Sequence, residues 1–262
     1  VIDDFSTGNR ENLRMFQDQI EIVEMDIREG DRLSQALEGV DRIYHQAAMP
    51  SVPRSMEAPV ESTDITLMGT VQLFASAEEA GVDRIVFASS SSIYGDNPEL
   101  PKVETMETLP ASPYAASKRS VEIFGRVFSH QFDLDTVGLR YFNVFGPRQD
   151  PESDYAAVIP AFITALLEGT PPEIYGDGEQ SRDFTYVKDV VSANIKAMEA
   201  GEPGQSYNVG YNDQTTVNEL FGMLAEIIGS ELEPNYQPPR PGDVRHSRAD
   251  ASAFENDTGF EP

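Results

Sequence analysis

The run Tyr114-Ala115-Ala116-Ser117-Lys118 holds a phenol and an ammonium four residues apart, and Ser90-Ser91-Ser92 lie two dozen residues upstream. On a helix that spacing puts Tyr114 and Lys118 on one face, one turn apart. A free phenol, with a pKa of about 10, is a poor base at neutral pH. A neighbouring ammonium favours the phenolate, and a serine hydroxyl nearby can hold the same substrate alcohol and relay its proton. The chemistry implied is removal of a proton and a hydride from a carbinol, with Ser90, Tyr114 and Lys118 as the catalytic set. Spacing alone is a weak signal, because many amphipathic helices carry such a pair on their surface. Its position after a Ser-rich strand end is what singles it out.

These residues need a frame. Val1-Ile2-Asp3-Asp4 reads as the end of a strand already under way, and residues 20–27 alternate well enough for another. Arg42-Ile43-Tyr44-His45, Arg84-Ile85-Val86-Phe87-Ala88 and Thr136-Val137-Gly138-Leu139 are further short strands. Helical patterns over about 31–38, 62–80 and 115–131 separate them. Such alternation predicts an α/β fold: a doubly wound parallel sheet covered on both faces, of the Rossmann type. After residue 143 the texture turns to Gly and Pro punctuation, with helices near 156–168 and 216–229. A smaller α/β substrate lobe over 144–186 and 212–262 is expected. The cofactor-binding domain would take 1–143 and regain the chain over about 187–211.

Composition narrows the partners. The net charge of −26, with lysine confined to Lys102, Lys118, Lys188 and Lys196, argues against nucleic acid or an anionic membrane. There is no cysteine, and His45, His130 and His246 are too scattered in sequence to suggest a metal site. No apolar run approaches the ~18 residues that a membrane span needs, so a cytoplasmic protein is the default. Acidic residues spread along the whole chain suggest adaptation to molar salt, where a screening length of about 3 Å makes self-repulsion tolerable.

A doubly wound fold holds a dinucleotide through a Gly-rich turn after its first strand, with an acid about 20 positions later on the ribose hydroxyls. Asp3 stands where that acid belongs, yet no Gly-x-Gly-x-x-Gly or Gly-x-x-Gly-x-x-Gly occurs and the chain does not begin with Met. The expectation is that a first strand, Gly turn and helix precede Val1.

Taken in order, six segments resemble the NAD-dependent nucleotide-sugar epimerases of the extended short-chain dehydrogenase/reductase family. They are Asp3-Asp4-Phe5-Ser6-Thr7-Gly8, Ser92-Ile93-Tyr94-Gly95, Tyr114-x-x-x-Lys118, the run from Arg140 to Pro147, the run from Gly176 to Phe184, and the run from Arg240 to Ser247. By this resemblance Tyr114 is the base, Lys118 bonds the nicotinamide ribose and lowers the tyrosine pKa, and Ser90 is the hydroxyl partner. Asp3, Asp4, Phe5, Ser6, Thr7 and Gly8 would surround the adenosine ribose, Asp26 and Ile27 would flank the adenine, and Gln46, Ala47 and Ala48 would line the cofactor. Asn143, Ala157, Val158, Tyr175, Arg182 and Arg240 would hold the nucleotide sugar. Thr66 departs from the pattern, which has asparagine there.

The resemblance implies NAD rather than NADP, since Asp3 and Asp4 repel a 2′-phosphate and Arg10 is the one nearby cation to answer it. It implies C4 epimerisation of a UDP-sugar, by a homodimer that pairs the helices containing Leu67, Val71 and Phe74 and Val121, Phe124 and Phe128. Ser247, small where a bulky aromatic would exclude an N-acetyl group, points to UDP-N-acetylglucosamine and UDP-N-acetylgalactosamine, alongside UDP-glucose and UDP-galactose. A dehydratase would carry an Asp-Glu pair after Ser90, where this chain has Ser91-Ser92. A UDP-glucuronate epimerase stays open through Arg54, which could meet a uronate carboxylate. A reading of another class, a non-catalytic nucleotide sensor, would be expected to have lost Tyr114 or Lys118.

Overall fold

The computed structural model describes residues 1–150, 157–239 and 244–262. Strand β1 (Ile2–Asp3) runs parallel to β2 (Val23–Glu24). Helix α1 (Gly30–Ala36) and strand β3 (Arg42–His45) follow. Helices α2 (Val52–Glu57) and α3 (Pro59–Thr63) lead through a π-helical turn at Asp64–Met68 into α4 (Gly69–Ala80). Strand β4 (Arg84–Ser90) ends in a tight turn over Ser91–Tyr94, and helix α5 (Pro113–Gln131) leads to β5 (Asp135–Tyr141). Then come β6 (Asn143–Phe145), α6 (Val158–Leu167), β7 (Glu173–Tyr175), β8 (Ser181–Arg182) and β9 (Phe184–Tyr186). The chain closes with α7 (Val187–Ala200), β10 (Ser206–Val209), β11 (Thr215–Thr216), α8 (Val217–Ile228), β12 (Asn235–Gln237) and α9 (Ser252–Thr258).

Four of these strands form the central sheet in the order β10-β5-β4-β3, all parallel. Successive residues of β4 face opposite sides, as a strand period of two requires. Ile85 and Phe87 join Phe74, Val121 and Phe128 under α4 and α5. Val86 joins Val137, Leu139, Ala193 and Phe254 under α7 and α9. Both faces of β4 are therefore dry, which is why this strand reads as a nearly continuous apolar run. Helix α5 lies close because Gly125 faces the Phe87 ring, where an added Cβ would stand 2.9 Å from it. The β1–β2 pair makes no ladder with β3 among the described residues, but Ile2 and Val23 pack on the α1–α4 core.

Local sequence sets the helix ends. The Ser112 side chain accepts from Ala115 N and Pro113 opens α5, so Tyr114 enters in the first turn. Thr216 and Glu219 form a reciprocal capping box on α8. Two expectations need correction. The strand expected over 20–27 is limited to Val23–Glu24, the two residues that pair with β1. The helix expected from 62 to 80 begins at Pro59 and is interrupted by the π turn.

Candidate active site

Strand β4 delivers Ser90 at its carboxyl end, and α5 delivers Tyr114 and Lys118 from the neighbouring layer. Burial pushes the phenol of Tyr114 above its ordinary value, although Ser90 is near enough to draw it part of the way down. The expectation that Lys118 depresses that pKa is not met in this arrangement. The Lys118 ammonium donates to the Ala88 carbonyl at 2.7 Å and stands 5.9 Å from the centre of the Tyr114 ring. Burial pushes Lys118 itself down to about 8. His45, at the end of β3, is buried close enough to feel that ammonium and is held neutral, pushed down to about 3, mainly by desolvation.

A short chain of bonds explains the departure at Thr66. The Thr70 hydroxyl donates to the Thr66 carbonyl at 2.6 Å, so it accepts from His45 Nε2 at 2.8 Å. The Thr66 hydroxyl in turn accepts from Met49 N at 3.2 Å. Threonine thus ties the π turn before α4 to the segment after β3 in the place where the family pattern has asparagine.

Ser90, Tyr114, Asn143, Arg182 and Ser247 line one cleft of about 700 Å³, together with Ser91, Ser92 and Tyr94. Asn143 and Arg182 also line an adjoining pocket of about 230 Å³, whose walls include Ala157, Val158 and Tyr175. Two spaces joined by an amide and a guanidinium suit a two-part ligand with an anionic middle, because the planar guanidinium fork makes paired charge-assisted bonds to phosphate oxygens. Ser247 is held in place by its N–H, which donates to the Ser181 carbonyl at 3.1 Å. Arg240 lies outside the described residues. Arg54 is not among the residues lining either space.

The expected cofactor residues gather at the carboxyl ends of β1, β2 and β3. Asp3 Oδ1 accepts from Phe5 N at 2.7 Å, and Gly8 lies so near that an added Cβ would stand 3.1 Å from the same carboxylate. Phe5 itself takes a left-handed φ of 55° to make this turn. Asp4 accepts from the N–H and hydroxyl of Ser6, and Thr7 is exposed beside them. Arg10 stacks over the Phe5 ring at 3.9 Å and is bound to Glu24. Asp26 is gripped by the Arg28 guanidinium, which holds its carboxyl below the usual range, and Ile27 is buried against Gly69. Gln46 donates to Tyr141 Oη and Asn194 Oδ1, both at 3.2 Å, while Ala47 is exposed and Ala48 half-buried. An acidic strand end with a free acceptor oxygen and a buried lysine with N–H groups to spare fit the two riboses of a dinucleotide.

Gln149 has no role among the site residues expected from the sequence. Its amide donates to the Val144 carbonyl at 3.3 Å, while its Oε1 is buried in the smaller pocket without a donor among the described residues. Nothing in its spacing marks it. The acidic clusters form no metal site: among the described residues no group of three or more His, Asp or Glu side chains is placed to hold an ion. No described helix is long and apolar enough to cross a membrane.

A parallel sheet with dinucleotide-type strand ends, and Ser90 and Tyr114 on the wall of a two-part cleft with Lys118 buried one turn further along α5, define the class. Residues 2–210 match the NAD dependent epimerase/dehydratase family, and the chain belongs to it. Its relatives include a UDP-glucose 4-epimerase of Mycolicibacterium smegmatis, 39% identical over 265 residues, which span 100% of this chain and 84% of the relative. Among solved structures it is similar to a UDP-N-acetylglucosamine 4-epimerase from Methanobrevibacter ruminantium M1 in complex with UDP-N-acetylmuramic acid. That match has 42% identity and a TM-score of 0.96, covering 100% of this chain and 84% of the other. A UDP-glucose 4-epimerase from Thermotoga maritima with UDP-glucose is 37% identical, with a TM-score of 0.95 over 100% and 84% of the two chains.

Proposed function

We propose that this protein interconverts the C4 epimers of a UDP-sugar, with NAD as its cofactor. The observation that carries the reading is that Ser90 and Tyr114 share the wall of a cleft that continues, through Asn143 and Arg182, into a second pocket. Bound NAD supplies the acceptor, and afterwards the donor, of the hydride at the sugar C4. Tyr114 takes the proton of the C4 hydroxyl and returns it to the ketone oxygen once the sugar has turned over. Ser90 holds the same oxygen and steadies the phenol. Lys118, anchored on Ala88, turns its remaining N–H groups to the nicotinamide ribose. Asp3, with the turn from Asp4 to Gly8, holds the adenosine ribose, and Asp26, Ile27, Gln46, Ala47 and Ala48 border the cofactor. Arg182 and Asn143 grip the diphosphate, while Ala157, Val158 and Tyr175 enclose the nucleoside. The tightly held nucleotide keeps the ketone from escaping while it turns.

The engagement of Arg10 by Glu24 favours NAD over NADP, because that cation is taken up by a carboxylate rather than left for a 2′-phosphate. Dehydration is disfavoured, since serines rather than an acid–base pair follow Ser90. Arg54 lies off the cleft lining, which weakens the uronate reading. Ser247 on that lining favours admission of N-acetylated sugars alongside UDP-glucose and UDP-galactose. We read the chain as a cofactor domain over 1–143 that regains residues 187–211, with a substrate lobe over 144–186 and 212–262; the β10–β5 ladder supports that return. We read the assembly as a homodimer and the location as cytoplasmic; Ile123, Phe124 and Val127 are exposed on α5, as is Met68. The test is incubation with NAD and UDP-galactose. Formation of UDP-glucose supports an enzyme, and nucleotide binding without turnover would make it a sensor.

A further inference from the structure

Beneath the cleft lies a buried polar network that the reaction does not touch. Glu122 on α5 is 3% exposed, Ser89 on β4 2%, Arg140 on β5 4%, and Tyr94 1%. Ser89 Oγ donates to Glu122 Oε1 at 2.6 Å. Arg140 donates to both Glu122 oxygens, at 2.8 and 2.9 Å, and to Tyr94 Oη at 2.8 Å. Tyr94 donates onward to Asn208 on β10 at 2.7 Å, and Arg119 adds a second guanidinium to Glu122 at 2.8 Å. A buried ion pair is often no more stabilising than apolar side chains of the same volume. Stability alone therefore does not explain this one, and its placement does.

Ser89 and Arg140 are register partners across the β4–β5 ladder, as are Ser90 and Tyr141. With the strand period of two, Ser89 and Arg140 face the helix while Ser90 and Tyr141 line the cleft. On α5, Glu122 stands one turn beyond Lys118 and two beyond Tyr114. One carboxylate thus spans the gap between the strand that carries the hydroxyl and the helix that carries the phenol. We propose that Glu122 is a positioning residue for the epimerisation: by clasping Ser89 and Arg140 it sets the distance of Ser90 from Tyr114, and through Arg140 it fixes the Tyr94 wall of the cleft.

This inference rests on the proposed epimerase function, and its test separates the two. Ser89→Ala removes the single bond from β4 to the carboxylate and leaves the ion pair intact. Glu122→Gln keeps the shape and removes the charge. Melting temperature, kcat, KM for UDP-galactose and the pH dependence of kcat are measured for both, per folded molecule. Small displacements of reacting groups are costly, so kcat should fall about tenfold in Glu122→Gln and about threefold in Ser89→Ala, with KM within about twofold of wild type. The limb of the pH profile that reports the phenol should move to higher pH in both, because Ser90, whose nearness draws it down, is displaced from Tyr114. Ser89→Ala matching wild type in kcat and pH profile would overturn the proposal, whatever Glu122→Gln does. An inactive wild type would instead sink the epimerase reading, and this proposal with it.

Discussion

At the scale of single residues, the site sets a buried phenol against a buried ammonium, and the two have opposite consequences. Replacing Tyr114 by Phe removes the proton acceptor without disturbing the ring's packing; kcat should drop by a factor of about 10²–10⁴ with melting nearly unchanged. Lys118 contributes unfavourably to stability. Its folded value of about 8 lies below the ordinary 10.5, so below pH 8 both folded and unfolded states hold the proton and the full burial penalty applies. As pH rises from 8 towards 10.5, the folded state releases the proton first, the unfolded state binds more protons, and stability rises. Lys118→Met should therefore stabilise the fold by about 2 kcal/mol at pH 7, with a gain that shrinks above pH 8, while activity is lost. A melting temperature lower than wild type at pH 7 would show that the Ala88 contact outweighs desolvation. Ser247→Tyr should end turnover of UDP-N-acetylgalactosamine and spare UDP-galactose, as side-by-side kinetics would reveal; equal loss of both would show that Ser247 does not gate the site.

At the scale of elements, the turn after β4 is where backbone geometry and chemistry meet. Gly95 has φ 53° and ψ −137°, and an added Cβ would fall 1.7 Å from the Leu109 carbonyl oxygen. No flexible side chain can yield there, so Gly95→Ala should displace the Ser90–Tyr94 turn and cost upwards of about 3 kcal/mol, read by denaturant titration. Strand β4 was legible because burial on both faces writes its Ile85–Ala88 core as an unbroken apolar run. Helix α5 was legible because Ser112 and Pro113 announce its start. The site was legible where motifs carry it: Ser90, Tyr114, Asn143, Arg182 and Ser247 converge on one cleft although they are spread over more than 150 residues. Three things were not legible. The π turn at Asp64–Met68 leaves no mark in the periodicity. The shortening of the strand at 20–27 depends on pairing with β1 alone. The direction of the Lys118 ammonium is set by the Ala88 carbonyl, a tertiary contact that no spacing encodes.

At the scale of the whole molecule, charge and apolar surface make separate demands. A net charge of −26 on 262 residues repels itself across distances that dilute buffer leaves unscreened. The melting temperature should climb steeply between dilute buffer and several molar KCl, and a flat response would remove the case for halophilic adaptation. On α5, Val121 and Phe128 are buried against the sheet, whereas Ile123, Phe124 and Val127 stay 52%, 39% and 42% exposed. Phe124 thus sits on the outward face, apart from the Val121 and Phe128 with which its helical spacing groups it. That outward stripe, with Met68 at 54%, predicts a dimer mass by sedimentation at high salt, and a monomer would contradict it.

The central claim is that one hydrogen leaves C4 and returns to it inside a closed site while Tyr114 shuttles the proton. UDP-galactose carrying deuterium at C4, incubated with the protein and NAD in ordinary water, tests this directly. The product should be UDP-glucose with the deuterium still at C4, and Tyr114→Phe should form it at least about a hundredfold more slowly. UDP-glucose bearing solvent hydrogen at C4, or no UDP-glucose at all, would contradict the account.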